Sequence, residues 1–302
     1  MANLSVKACG MITAVGFNAS ASLAAIRAGI RGVDETNLWD AESGDYLAAG
    51  RVLLPHWWIG LGKLAELVAP AIHECLSAAK PVTAEEIPIF LGLAAPGRPH
   101  RWENLDEEIL DEIQHRLGFN LHPESRVIPR GRVAGAVGLQ LAAALIEHHK
   151  LQYCIVAGVD SFVRQDVVEY YLEKRRILTP MNSNGFSAGE AGSAILMTTS
   201  ESSSEGELRI LGVGMARETA TIESEEPLRG NGLTQAIGKA FKEAGLTIQE
   251  MQYRITDLNG EHYKFKEMTL AMIRYERKTK PNLFDLWHPI EYIGEVGAAI
   301  GP

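Results

Sequence analysis

Cysteine is sparse in this sequence: Cys9, Cys75 and Cys154 lie far apart among 302 residues. That spacing excludes both a disulfide-stapled secreted framework and the close ligand sets of zinc sites, and it points to a reducing compartment. Long apolar runs are also lacking, none approaching the roughly 20 residues of a membrane span. The opening MANLSVKACG has no basic segment followed by an apolar run, so no signal peptide is expected. Basic charge is in short supply. A formal net charge of −9 argues against nucleic acid or an anionic membrane as the main partner, although a local basic patch would still suit an acidic carrier. There is no P-loop, no dinucleotide fingerprint after a strand and no HExxH, so no cofactor and no metal is expected. These absences together describe a soluble, cytoplasmic chain.

What is present is an ordinary globular composition, 46% hydrophobic and 22% charged, at a length that fits one large or two medium domains. Leu4 to Met11 reads as a strand, followed by a helix over 20–27 with Asn18 or Ser20 as N-cap. Residues 31–55 read as irregular. A helix over 62–79 carries Leu64, Leu67, Val68, Ala71, Ile72 and Cys75 on one face. IPIFLGLA (87–94) is a buried strand, 104–117 an acidic amphipathic helix, 126–129 a short strand, and 133–146 a helix apolar on nearly every side. LQYCIVAG (151–158) has the continuous apolar run of a parallel-sheet strand. A helix over 166–175 and a strand over 193–197 follow.

TTSESSSEG (198–206) reads as a linker between a first half, residues 1–200, and a second, residues 207–302. The order then begins again, with strand 208–214, helix 233–244, strand 253–258 and a helix over 261–274. Alternating strands and helices favour an α/β fold with largely parallel sheets. The adjacent Trp57 and Trp58 read as one core and one interface residue.

Four segments then carry a resemblance. ACGMITAVGFN (8–18), AGVDS (157–161), NGF through GEAGSA (184–194) and GEVGAA (294–299) are similar, in order, to segments of β-ketoacyl synthases of the thiolase superfamily. The resemblance implies two βαβαβ halves related by a pseudo-twofold axis, in five layers (α-β-α-β-α), usually as a homodimer. The family follows its last motif with a helix and two more strands, whereas this chain stops at Gly301-Pro302. The second half is therefore expected to be incomplete, through truncation or because another chain covers the exposed edge.

The family's chemistry uses a cysteine at the N-terminus of the buried helix, where the dipole and backbone N–H groups favour a thiolate, and two histidines that polarise the thioester. The resemblance places Arg132, Asn259 and Glu295 at those positions. No Cys, Ser or Thr occurs from Pro129 to Ala136. A guanidinium stays protonated and is no nucleophile. At a helix N-terminus it also opposes the dipole and calls for an anionic neighbour, for which Glu295 and Glu261 are the candidates. An Arg132–Glu295 pair filling the site is the specific expectation. His262 falls on the following helix. Gly135, Phe186, Glu261 and His262 are the candidate pocket lining, with Phe186 matching the family's gating phenylalanine.

The reading that follows is a non-catalytic synthase-like protein, a partner subunit, scaffold or acyl-binding protein in fatty-acid or polyketide-type metabolism. It would form a homodimer, or a heterodimer with a synthase-like chain, and meet an acyl carrier protein or acyl-CoA. The alternative is an active acyltransferase of the 3-oxoacyl synthase type using His262 or Glu295.

Overall fold

The computed structural model describes residues 4–56, 59–149, 151–199, 208–276 and 285–302. In chain order the elements are β1 (Leu4–Ile12), α1 (Ala19–Arg27), β2 (Val33–Asp40), β3 (Asp45–Gly50), α2 (Gly60–Ala78), β4 (Ile89–Leu93), α3 (Leu105–Leu117), β5 (Arg126–Pro129), α4 (Ala134–His149), β6 (Tyr153–Ser161), α5 (Gln165–Glu173) and β7 (Glu190–Thr199). They continue as β8 (Leu208–Ile210), α6 (Asn231–Ala244), β9 (Tyr253–Ile255), α7 (His262–Glu276), β10 (Asp285–Trp287) and α8 (Ile290–Ile293). Single 3₁₀ turns lead into α4 (Gly131–Val133) and close the chain (Gly297–Ile300).

A six-stranded sheet runs in the order β5-β4-β6-β7-β1-β8. Strands β5, β4 and β6 are mutually parallel, as their apolar runs predict, while β7 runs antiparallel to both β6 and β1. The sheet is therefore mixed rather than largely parallel. Helices α2 and α3 cover one face, burying Leu67, Val68, Ile72, Ile109 and Ile113 against Leu91, Ile155 and Leu196. Helix α4 covers the other, with Ala142, Leu145 and Ile146 on Phe90, Val156 and Met197. All nine residues of β6 are buried, which is why its sequence shows no alternation.

Two further expectations change. Residues 31–55, read as irregular, contain the β2–β3 hairpin. Acidic positions at Asp34, Glu35, Asp40 and Asp45 break its alternation, and a bulge between Glu35 and Trp39 shifts its register. The strand read at 208–214 spans only 208–210 and pairs antiparallel with β1, so the segment placed at the start of the second half is an edge of the first half's sheet. Cys9 is exposed on β1, whereas Cys75 and Cys154 are buried. The expected N-cap of α1 is Asn18, whose Oδ1 accepts from the Ala21 N–H at 2.8 Å. Trp57, Trp58 and linker residues 200–206 lie outside the described residues, and 198–199 complete β7.

The second half repeats part of the first. The order α2, β4, α3, β5 recurs as α6, β9, α7, β10, with β9 and β10 parallel like β4 and β5; a 3₁₀ turn follows β5 directly and follows β10 after the short α8. No described helix is long and apolar enough to cross a membrane.

Candidate functional site

The two 3₁₀ turns meet where the halves meet. Pro129 ends β5, and Gly131 adopts φ +56° to turn the chain into α4, which leaves Arg132 on the turn. On the other side, the Glu295 N–H donates to the Ser187 carbonyl at 2.8 Å, fixing the residue beside the loop that carries Phe186.

Arg132 grips Glu295 with two parallel bonds, Nε to Oε1 at 2.9 Å and Nη2 to Oε2 at 2.5 Å. Glu295 is fully buried and collects more donors. The Gly297 N–H reaches Oε1 at 3.0 Å, Asn259 Nδ2 reaches Oε2 at 2.7 Å, and Lys264 Nζ lies 3.9 Å away. Burial alone would raise this carboxyl. The charges of Arg132 and then Lys264, with the hydrogen bonds, outweigh it and hold the pKa down at about 2. Burial pulls the Arg132 guanidinium the other way, and Glu295 reverses that, so the cation is reinforced. The fork-to-fork geometry is the strong form of this pair.

The network extends outward. Asn259 Nδ2 also donates to Glu261 Oε2 at 3.2 Å, and Arg176 clasps Glu261 at 2.7 and 3.3 Å. Lys264 binds the side chain and the carbonyl of Asp257, which in turn lies 4.0 Å from Arg132. Three cations and three carboxylates balance, with Asn259 bridging two of the acids. A second buried pair adjoins it. Arg98 Nη1 sits 2.6 Å from Asp160 Oδ1, and its guanidinium lies 4.9 Å from the centre of the Phe162 ring. Burial raises the Asp160 carboxyl against the pull of Arg98. Gly297, at φ +51°, allows this approach, since a Cβ there would sit 2.1 Å from Asp160 Oδ2. Beneath the β2–β3 hairpin, Glu190 is gripped by Lys63 at 2.7 Å, by the Ser161 hydroxyl at 2.7 Å and by the Val52 N–H at 3.1 Å.

A cavity of about 560 Å³ opens in front of this network. Its wall carries Arg98, Arg130, Arg132, Arg176 and Lys264 with Asp160, Glu218, Asp257, Glu261 and Glu267. Between these charges lie Ala94, Ala95, Val133, Phe162, Phe186 and Ile222, so charged and apolar side chains share the wall. Phe186 touches the cavity but is 1% exposed, stacked edge-on against Phe162 at 5.6 Å and Tyr171 at 5.2 Å. The space beside it is filled by aromatic rings and by Val167, Val168 and Leu47.

Arg132, Asn259, Glu295 and Glu261, placed together by sequence, are together in the structure. Gly135 and His262 are not. Gly135 faces Gly301, where a Cβ would meet the neighbouring Cα at 2.7 Å, so it serves close packing and lines no cavity. His262 is exposed at the first turn of α7, held by its N–H on Asn184 Oδ1 at 2.7 Å. Arg98, Arg176, Lys264 and Lys63 were missed. The available signal was Asp160 and Glu190 inside otherwise apolar strands, because a carboxylate buried in a sheet requires a cationic or multiply donating partner.

Among the described residues, no group of three His, Cys, Asp or Glu side chains is arranged to hold a metal. The positions that the resemblance assigns to chemistry, Arg132, Asn259 and Glu295, carry no thiol or hydroxyl. Arg132 is charged, and the Glu295 carboxylate, with a pKa near 2 and both oxygens occupied, is a feeble base at neutral pH.

No family model matches the chain, and no curated protein matches it in sequence. Solved structures match it over almost its whole length. The ishigamide ketosynthase/chain length factor superposes with a TM-score of 0.72 at 16% identity, covering 99% of this chain and 84% of that one. AntDE:AntF, a type II PKS acyl-carrier protein in complex with its ketosynthase bound to the hexaketide, gives 0.78 at 14%, covering 99% and 83%. The ketosynthase ApeO in complex with its chain length factor ApeC from Xenorhabdus doucetiae gives 0.72 at 17%, covering 99% and 82%. The chain therefore has the thiolase-like α/β fold of the ketosynthases.

Proposed function

We propose that this chain is a non-catalytic ketosynthase-like partner subunit, working beside an active synthase-like chain in polyketide- or fatty-acid-type assembly in the cytoplasm. The observation that carries the reading is the Arg132–Glu295 clamp. The three positions that the resemblance assigns to chemistry converge within hydrogen-bond reach, which supports their correspondence, yet they hold a guanidinium, an amide and a carboxylate locked on one another. Catalysis by covalent acyl transfer needs a free nucleophile with a base in reach, and this arrangement offers neither.

The neighbours support the same role. Two of the solved structures named above pair a ketosynthase with a chain length factor, and the third holds an acyl-carrier protein.

The test is incubation of the full chain with an acyl-pantetheine thioester followed by intact mass spectrometry. No adduct is expected. A covalent acyl adduct, or thioester turnover abolished by Glu295→Gln, would overturn the reading in favour of an active acyltransferase.

A further inference from the structure

The cavity in front of the clamp carries more hydrogen-bonding capacity than the clamp consumes. Arg132 and Arg176 each spend Nε and Nη2 on a carboxylate, and among the described residues Nη1 of each has no acceptor. Arg98 is set deeper, its side chain 10% exposed. Its Nη1 holds Asp160 and the Ser161 carbonyl, while Nε and Nη2 have no acceptor among the described residues. A buried guanidinium with most of its five donors unmet calls for an explanation. Tyr171, 8% exposed, adds a hydroxyl that makes no hydrogen bond among the described residues. Burial pushes that hydroxyl's pKa up while the charges of Arg176, Arg98 and Arg132 pull it down, so all three guanidiniums bear on one oxygen. These donors are enclosed by the first half itself: Arg98 lies 4.9 Å from the Phe162 ring centre, and Tyr171 packs on Phe162 and Phe186 at 5.9 and 5.2 Å.

The second half brings the opposite sign to the same cavity. Glu218 is fixed by three backbone donors, the Gly232 N–H on one oxygen at 2.8 Å and the Thr219 and Ala220 N–H groups on the other at 3.1 and 3.3 Å. Glu267 lies on α7. The neighbouring cation, Lys264, is committed to the side chain and carbonyl of Asp257. Among the described residues neither Glu218 nor Glu267 forms an ion pair. Burial, then the charges of Glu218 and Asp257, push the Glu267 carboxyl up against the pull of Lys264, as befits a carboxylate short of a counter-ion. Tyr263 feels the same two acids. Its hydroxyl, which donates to the Ala220 carbonyl at 2.8 Å, is pushed up to about 12 by burial and then by Glu267 and Glu218.

We propose that this cavity binds a small zwitterion of the amino-acid class, its carboxylate on the free donors of Arg98, Arg132, Arg176 and Tyr171 and its ammonium on Glu218 and Glu267. The charge balance selects this ligand. Five cations and five carboxylates line the wall, so the cavity as a whole is close to neutral. A net anion would leave the two glutamates without a counter-ion, and a simple cation would leave the guanidinium donors unmet; a molecule bearing both charges answers both. Val133 and Ile222, on the same wall, suit a short methylene spacer, and about 560 Å³ lies within the range of small-molecule sites. The inference goes beyond the partner-subunit role and does not rest on it, since it requires the clamp to be neither catalytic nor inert.

The test titrates the full chain by isothermal calorimetry with β-alanine, γ-aminobutyrate, δ-aminovalerate and ε-aminocaproate, which step the distance between the two charges. Caproate and hexylamine are the single-charge controls. Saturable sub-millimolar binding of at least one amino acid is expected, about tenfold or more tighter than either control. Glu267→Gln should weaken that amino acid by about tenfold and remove its advantage over caproate. Tyr171→Phe, which deletes one hydroxyl and keeps the ring, should weaken the amino acid and caproate alike. A thermal melt checks that both variants are folded. Leu23→Asp, on the exposed face of α1, should leave binding unchanged. Absence of saturable binding by all four amino acids at millimolar concentration overturns the proposal. So does equal affinity for caproate, which marks an anion site only, or for hexylamine, which marks a cation site only. Binding that neither Glu267→Gln nor Tyr171→Phe alters overturns it too, since it lies elsewhere.

Discussion

Helix α2 buries eight side chains against a six-stranded sheet, while α6, its counterpart by element order, buries one glycine beside a sheet of two strands. The same succession of elements thus yields a closed core in one half and an open groove in the other. The difference teaches where cohesion comes from. The first half is held by apolar contact across both faces of its sheet. The second is tied to it by charge, with Arg132 and Arg176 reaching Glu295 and Glu261. The last turns of the chain return to the first half, where Ile293, Val296 and Ala299 pack on Ile26 and Ala191 and the Ser193 hydroxyl donates to the Ala299 carbonyl at 2.7 Å.

The sharpest way to break this contrast is Glu295→Ala. It leaves the half-buried Arg132 guanidinium and the buried Asn259 amide without their shared acceptor. That should cost about 2–3 kcal/mol, below the roughly 3–5 kcal/mol of a fully buried pair because solvent reaches Arg132. Urea unfolding should show that loss, with faster amide exchange in α6 and α7. A cost below about 1 kcal/mol would mean the network is not the tie between the halves. Converting Arg132 and Glu295 to leucine together should recover most of the loss. Next comes Leu67→Ala in the α2 core, which should cost about 2–5 kcal/mol.

Acid is the third probe. The folded pKa of Glu295, about 2, lies below its ordinary value of 4.5, so its contribution is full above about pH 4.5 and is lost as pH falls toward 2. That shift corresponds to about 3 kcal/mol. Glu295→Gln should remove that part of the acid sensitivity, leaving a flatter stability profile between pH 4.5 and 2. Ile237→Ala is the smallest effect: on a half-exposed face without a cover it should cost less than about 1 kcal/mol. A value near that of Leu67→Ala would show that the groove is closed in solution.

Much of this was legible in the sequence, and for a physical reason in each case. The unbroken apolar run of β6 and the Gly-rich motif over 294–299, which carries Glu295, announced a doubly covered sheet and a turn beside it. Arg132 at the start of an apolar helix demanded an anion, and the structure places Glu295 2.9 Å away. The cations that complete the network were not legible, because Arg176 and Lys264 resemble any surface cation until the chain folds back from β9. Nor was the hairpin, since Asp34, Glu35 and Asp45 face water while Asp40 is buried, which hides the strand period. Gly135 was expected among the pocket lining. Here the close approach is to Gly301.

The bidentate clamp also has a meaning over generations. Replacing Arg132 or Asn259 alone takes a donor from the buried Glu295, and replacing Glu295 leaves the half-buried Arg132 without its anion, so each single substitution descends into a stability valley. Only coordinated changes cross it. The site resists drift as a lock does, opening to a combination and to no one digit of it.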